Sequence, residues 1–168
     1  MKRSQLAMVM ILVIGFAAVG MSPAASAPKP VSAKKFSAAA DAALTAMKKR
    51  AAELKVGGVA VVAYAEGDKI EGWTSKMAVV GRMKDEPSAT AKGNNLVGIA
   101  YSKAAEMADT LENSGTAKRV PMTGEFGWQG GLVIRVKTGY LIVAFSGGKS
   151  EDDVEVSRSG VEVLKGAL

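Results

Sequence analysis

Two short segments built almost wholly from apolar residues place the strictest condition on how this chain folds. Val59 to Ala65 contains three valines and a tyrosine and is bounded by Gly57-Gly58 and by Glu66-Gly67-Asp68, and Tyr140 to Phe145 is apolar throughout. A strand with one face in water alternates apolar and polar side chains; a short continuous run marks a strand covered on both faces. The sheet containing these runs therefore needs layers on both sides. A chain of 168 residues and 17.3 kDa offers a single core and few helices to supply them. With three helices available, the remaining apolar surface is expected to be buried on a second copy of the chain, which predicts a homo-oligomer.

The other elements follow from periodicity and punctuation. Ser37 is a candidate cap for a helix running to about Lys55, with Leu44, Met47, Ala51 and Leu54 on one stripe and Gly57-Gly58 as the stop. After the first apolar strand, a second strand region interrupted by Gly72 is clearest from Lys76 to Met83, and the polar stretch from Lys84 to Gly93 reads as a loop. From Asn95 to Leu111 the pattern is helical, with Leu96, Ile99, Ala100, Ala104, Met107 and Leu111 on one face. Leu132–Lys137 and Tyr140–Ser146 form a hairpin about Thr138-Gly139. The last helix opens with Ser150 and Asp153 as a capping box, carries Glu151, Asp152, Asp153 and Glu155 at its positive end, and closes at Lys165-Gly166. First-turn acids need no metal to explain them. The order of elements is that of an α+β fold, an antiparallel sheet flanked by helices.

Residues 1–27 read as a secretory signal peptide. Lys2 and Arg3 form the charged start, Leu6 to Val19 the apolar core, and Ala25-Ser26-Ala27 the small-residue cleavage signal. The mature protein is thus expected in the periplasm or the medium, cut near Ala27. Residues 28–36 form a basic tether and 37–168 the domain. Losing Lys2 and Arg3 lowers the formal charge from +6 to +4, and the excess lies before Val56, so the body is close to neutral. A basic tail without interleaved aromatics predicts no nucleic-acid partner. The chain contains no histidine and no cysteine, which removes imidazole and thiolate chemistry, zinc sites of the usual kind and disulfides.

The most distinctive segment outside the regular elements is Arg119 to Gly131, rich in glycine and carrying Phe126 and Trp128. Exposed aromatics there are suited to stacking on a planar ligand, with glycines letting it approach the backbone. The competing reading is that the two rings plug the sheet edge or an oligomer interface.

Four segments in order carry a resemblance. Phe145-Ser146-Gly147-Gly148-Lys149-Ser150-Glu151-Asp152-Asp153 resembles the strand, Ser-Gly-Gly turn and acidic helix start of the GlcG/HbpS family, the haem-degrading or DUF336 domain, and Val154 to Leu164 with Gly160 resembles its terminal helix. Ile99-Ala100-Tyr101-Ser102-Lys103-Ala104 is similar to its I-A-x-x-K-A helix, and Gly130-Gly131-Leu132-Val133-Ile134 to its G-G-x-P-I start of the hairpin. Val133 stands where the family has proline, Arg82-Met83-Lys84-Asp85 half matches its R-x-D-G-A stretch, and the first hairpin is extended through Lys69 to Lys76. The resemblance covers about residues 38–168 and implies a profilin-like (GlcG-like) fold, an oligomer, and haem, a corrinoid or a small organic molecule as ligand. Without histidine, the protein donors for haem iron are Tyr64, Tyr101, Tyr140 and the thioether of Met122, of which Met122 lies beside the aromatics. Lys103, Lys118 and Arg119 are candidate partners for propionates, and Thr123 completes the loop's polar groups. The function implied is an exported haem-binding protein, in which any reaction would be oxidative attack on the bound macrocycle. The alternatives are a non-catalytic oligomeric module docking on a sensor or transport protein, and a corrinoid or small-organic-ligand binder.

Overall fold

The computed structural model describes residues 31–168. The signal peptide and residues 28–30 of the tether lie outside the described residues. Helix α1 (Ala33–Glu53) starts earlier than the sequence pattern suggested, with Ser32 as its cap, the hydroxyl accepting from the Lys35 N–H at 3.2 Å. The reason lies in Phe36, assigned above to the tether. Its ring is buried against Tyr64, with centroids 6.1 Å apart, so the last tether residues are drawn into the core as helix.

Strands β1 (Gly58–Glu66), β2 (Thr74–Val80), β5 (Gly131–Val136) and β6 (Gly139–Ser146) form one antiparallel sheet in the order β2-β1-β6-β5. The α+β expectation holds. β2 stops before Met83 because Gly81, at φ 73°, turns the chain and Arg82 folds back with its N–H on the Val80 carbonyl. Within the expected loop, β3 (Lys84–Asp85) pairs with β4 (Asn94–Asn95) and delivers the chain to helix α2 (Leu96–Thr110), capped by the Asn95 side chain. The β5–β6 turn is Lys137-Thr138, one residue earlier than expected. Gly139 belongs to β6, where a Cβ would run into the Ala65 carbonyl of β1. Helix α3 (Ser150–Ala167) passes through Gly166 to its end.

The two apolar runs occupy the middle of the sheet, as two-sided burial requires. Ala60, Val62, Tyr64, Leu141, Val143 and Phe145 face α1 and α3, while Val59, Val61, Ala63, Ile142 and Ala144 face α2. The chain's own three helices thus cover both faces of β1 and β6, so these runs call for no second subunit.

Candidate functional site

The site is organised by two charges placed on helix faces that are otherwise apolar. Lys103 lies between Ile99 and Met107 on the buried stripe of α2, and Asp153 lies ahead of Val156, Gly160 and Leu164 on that of α3. Their side chains are only 3% and 4% exposed and meet at 2.7 Å, Nζ to Oδ2. Lys103 Nζ also donates to the Phe145 carbonyl at 2.8 Å, and Asp153 Oδ1 accepts the Gly148 N–H at 2.8 Å. Burial pushes the lysine ammonium below its ordinary pKa and the carboxyl above its own, and the attraction between the two opposes both shifts. Asp153 is therefore no capping-box acid. The N-cap of α3 is Lys149, and no side chain caps the helix. Of the neighbouring acids, Glu155 pairs with Arg50 of α1, while Glu151 and Asp152 stay in the first turn of α3.

Gly130 packs where the pair closes. At φ 132° it takes a conformation that L side chains rarely adopt, and a Cβ there would strike Lys103 Nζ and the Asp153 side chain. Its carbonyl accepts from Ser157 Oγ at 2.6 Å and from the Phe145 N–H at 3.0 Å. Gly131 donates to Ser114 Oγ at 2.8 Å. The double glycine is thereby pinned among α2, α3 and β6.

A cavity of about 320 Å³ borders the pair, lined by Lys103, Asp153, Leu96, Ile99, Trp128 and Gln129, by Asp85 and Asn94 of β3 and β4, and by Ser146 to Ser150. One side is the uncapped start of α3, which carries the positive end of the helix dipole, with the exposed Lys149 beside it. The opposite charge comes from Asp85. Hydrogen bonds from Asn94, at 2.9 Å, and from Arg82, at 2.7 Å, hold its carboxyl below the usual range. Arg82 also donates to the carbonyls of Gly57 and Gly147, each at 2.7 Å, tying the β2–β3 turn to the glycine turn ahead of α3.

The aromatic loop forms the rim. Phe126 and Trp128 are 47% and 46% exposed, with ring centroids 4.9 Å apart and planes inclined by 34°. Among the described residues neither ring is buried in the core or on the edge of the sheet. The loop beneath them is stiff: Arg119 makes a two-pronged contact with Glu125 at 2.7 Å on each prong and reaches Asp109 at 2.9 Å. Glu125 also accepts the Met122 N–H at 2.8 Å, and Ser102 on α2 donates to the Gly124 carbonyl at 2.7 Å. The Arg119 hydrogen bonds, with that backbone N–H, lower the Glu125 carboxyl to about 2.

The structure thus separates the residues that the sequence grouped together. Trp128 and Lys103 line one cavity, with Phe126 stacked beside Trp128. Lys103 and Arg119, expected as partners for propionates, are both engaged by protein carboxylates, and Lys118 is exposed. Met122 and Thr123 lie exposed in the turn closed by the Glu125 N–H on the Met122 carbonyl, away from the cavity lining. No tyrosine lines the cavity: Tyr64 donates to the Thr138 carbonyl at 3.1 Å, Tyr140 lies 3.4 Å from that of Asp68, and Tyr101 lies 3.4 Å from Ser75 Oγ. Asp85, Asn94, Gln129 and Lys149 were not singled out from sequence, because each reads as an ordinary loop or cap residue. The Lys103–Asp153 pair left a partial signal, since each charge falls on an apolar stripe, but the stripes do not say that the two meet.

No protein-family model matches the chain, and no curated protein matches its sequence. Solved structures do. The crystal structure of the PduOC–haem complex superimposes with a TM-score of 0.52 at 15% identity, covering 80% of this chain and 95% of that one. The crystal structure of the Klebsiella pneumoniae protein ORFY, a DUF336 protein, gives 0.51 at 18% identity, covering 76% and 88%. The fold is that of the DUF336 proteins, as the resemblance implied.

Replacing Lys103 by Met strands a buried carboxylate and is expected to cost about 3–5 kcal/mol of unfolding free energy, whereas Lys103→Met combined with Asp153→Leu recovers most of it. Urea denaturation of the single and double variants measures both; equal losses in the two would contradict the account. The Glu125 clasp gives the loop a dependence on acid that an unshifted surface glutamate would not. Its carboxyl is depressed from 4.5 to about 2, so its contribution is complete above pH 4.5 and is lost as the pH falls toward 2. Amide exchange at Met122 should stay slow at pH 4 and accelerate near pH 2. In Glu125→Gln it should be fast at both, once corrected for intrinsic exchange.

Proposed function

We propose that the chain is a member of the GlcG/HbpS group that binds a planar, carboxylate-bearing tetrapyrrole, haem being the leading candidate. The observation that carries this reading is the half-exposed Phe126–Trp128 pair, held on a clamped loop at the rim of a cavity that ends on the uncapped start of α3 and Lys149. Aromatic rings offer faces for stacking, and a helix N-terminus beside a lysine favours carboxylates. The haem complex of the similarly folded PduOC supports the same ligand class.

The residues fit the macrocycle and its acids better than they fit the iron. Neither a tyrosine nor Met122 belongs to the cavity lining. Binding therefore rests on stacking and charge. We read the protein as a carrier or sensor component, exported by its signal peptide, assembled as a homo-oligomer, and presenting its ligand to a sensor or transport protein. A smaller organic acid is the second reading, favoured by the modest size of the cavity.

With Trp73 replaced by Phe, Trp128 is the sole tryptophan. Haemin should quench its emission, and metal-free protoporphyrin should do so with similar affinity. Phe126→Ala should weaken both by about 0.5–1.5 kcal/mol beyond the lost buried area. Haemin binding without any change in Trp128 emission would remove the loop from the site, and no binding of either porphyrin would favour the second reading. For export, intact mass of protein from the periplasm or medium should show a start at Pro28 or a neighbour; retention of Met1 there would refute cleavage.

A further inference from the structure

We propose that the cavity beside the Lys103–Asp153 pair receives one acid arm of the ligand and not its ring system, and that the Ser146 hydroxyl selects that arm. This rests on the tetrapyrrole reading above and assigns a residue to the acid. A cavity of about 320 Å³ lies at the small end of the range for whole ligands, about 300–1,000 Å³. The Phe126 and Trp128 rings stand half exposed at its rim, so a macrocycle stacked on them remains outside. What reaches inward is a substituent.

Ser146 is the last residue of β6 and is 4% exposed. Alternation along the strand turns Ile142 and Ala144 toward α2, and Ser146 follows them onto that side, where Leu96, Ile99 and Lys103 line the cavity with it. Buried hydroxyls are ordinarily hydrogen-bonded. This one has no partner among the described residues, yet it is not sealed off, since the one such side-chain atom closed to both partner and solvent is Arg119 Nε. Ser146 Oγ therefore keeps an opening, and the space on that side is the cavity.

The groups around it are donors. An ammonium carries three N–H bonds, and the protein takes two of those on Lys103, at Asp153 Oδ2 and at the carbonyl of Phe145, the residue before Ser146. At the start of α3 the first N–H to bond within the helix is that of Asp153, on the Lys149 carbonyl. The N–H groups of Ser150, Glu151 and Asp152 have no partner within the helix. A carboxylate accepts several such bonds at once. Glu151 and Asp152 share the same turn, and the Asp85 charge is met by Arg82, so directed donors, more than net charge, hold the arm.

The test titrates protoporphyrin and its dimethyl ester against Trp128 emission in protein carrying Trp73→Phe. The diester should bind more weakly by about tenfold or more, having lost the charged acceptor. Ser146→Ala should weaken the free acid by about tenfold and leave the diester unchanged, with the far-ultraviolet circular dichroism of the parent. A bare arm is a second probe: millimolar 3-phenylpropionate should shift the amide resonances of Ser146 and Glu151, and 3-phenylpropionamide should not. Equal affinities for the two porphyrins, or a preference untouched by Ser146→Ala, overturns the acid subsite and leaves the tetrapyrrole reading standing. If neither porphyrin binds while 3-phenylpropionate still shifts those resonances, the tetrapyrrole reading alone falls. Failure of all three ligands overturns both.

Discussion

The Lys103–Asp153 ion pair is the contact on which the arrangement of layers depends. α2 and α3 lie on opposite faces of the sheet, so their side chains can meet only around its end, where β6 runs out at Phe145 and Ser146. The lysine crosses that end, takes the Phe145 carbonyl on the way, and finds the carboxylate. Such a pair adds little net stability over a well-packed apolar substitute, but either charge alone is costly to bury. Its effect is to fix which turn of α2 faces which turn of α3. Gly130 follows from it, since a Cβ there would strike both side chains, and the Gly148 N–H supplies the carboxylate with a donor.

Stability and recognition are then divided between adjacent groups. Charges that sequence alone offers to a ligand are consumed inside the protein: Lys103 by Asp153, Arg119 by Glu125 and Asp109. Those contacts tie the cavity wall and the loop to the helices. The groups left free are two aromatic faces, the start of α3 and Lys149.

The element order, the α+β class and the burial of Val59–Ala65 and Tyr140–Phe145 were legible in the sequence, because continuous apolar runs and helical stripes record burial directly. Boundaries were displaced where a long-range contact outweighed local propensity. Phe36 pulls the helix start into the supposed tether by packing on Tyr64, and Gly139 is spent on a close approach to Ala65 rather than on a turn. The aromatic loop was also legible as a candidate, since exposed rings among glycines have no helical or strand role to fill.

What only the tertiary structure decided is the allocation of partners. A sequence states that Asp153 is acidic and near a helix start, which fits a cap; that it points inward to a lysine fifty residues away is set by the packing of α2 and α3. The same holds for Arg119, for the three tyrosine hydroxyls, and for Asp85 and Asn94, brought to the cavity by a two-residue ladder too short to leave a pattern. Periodicity along the chain reports which face of an element is buried. Which charges meet across that burial depends on distances between elements, and those exist only once the chain has folded.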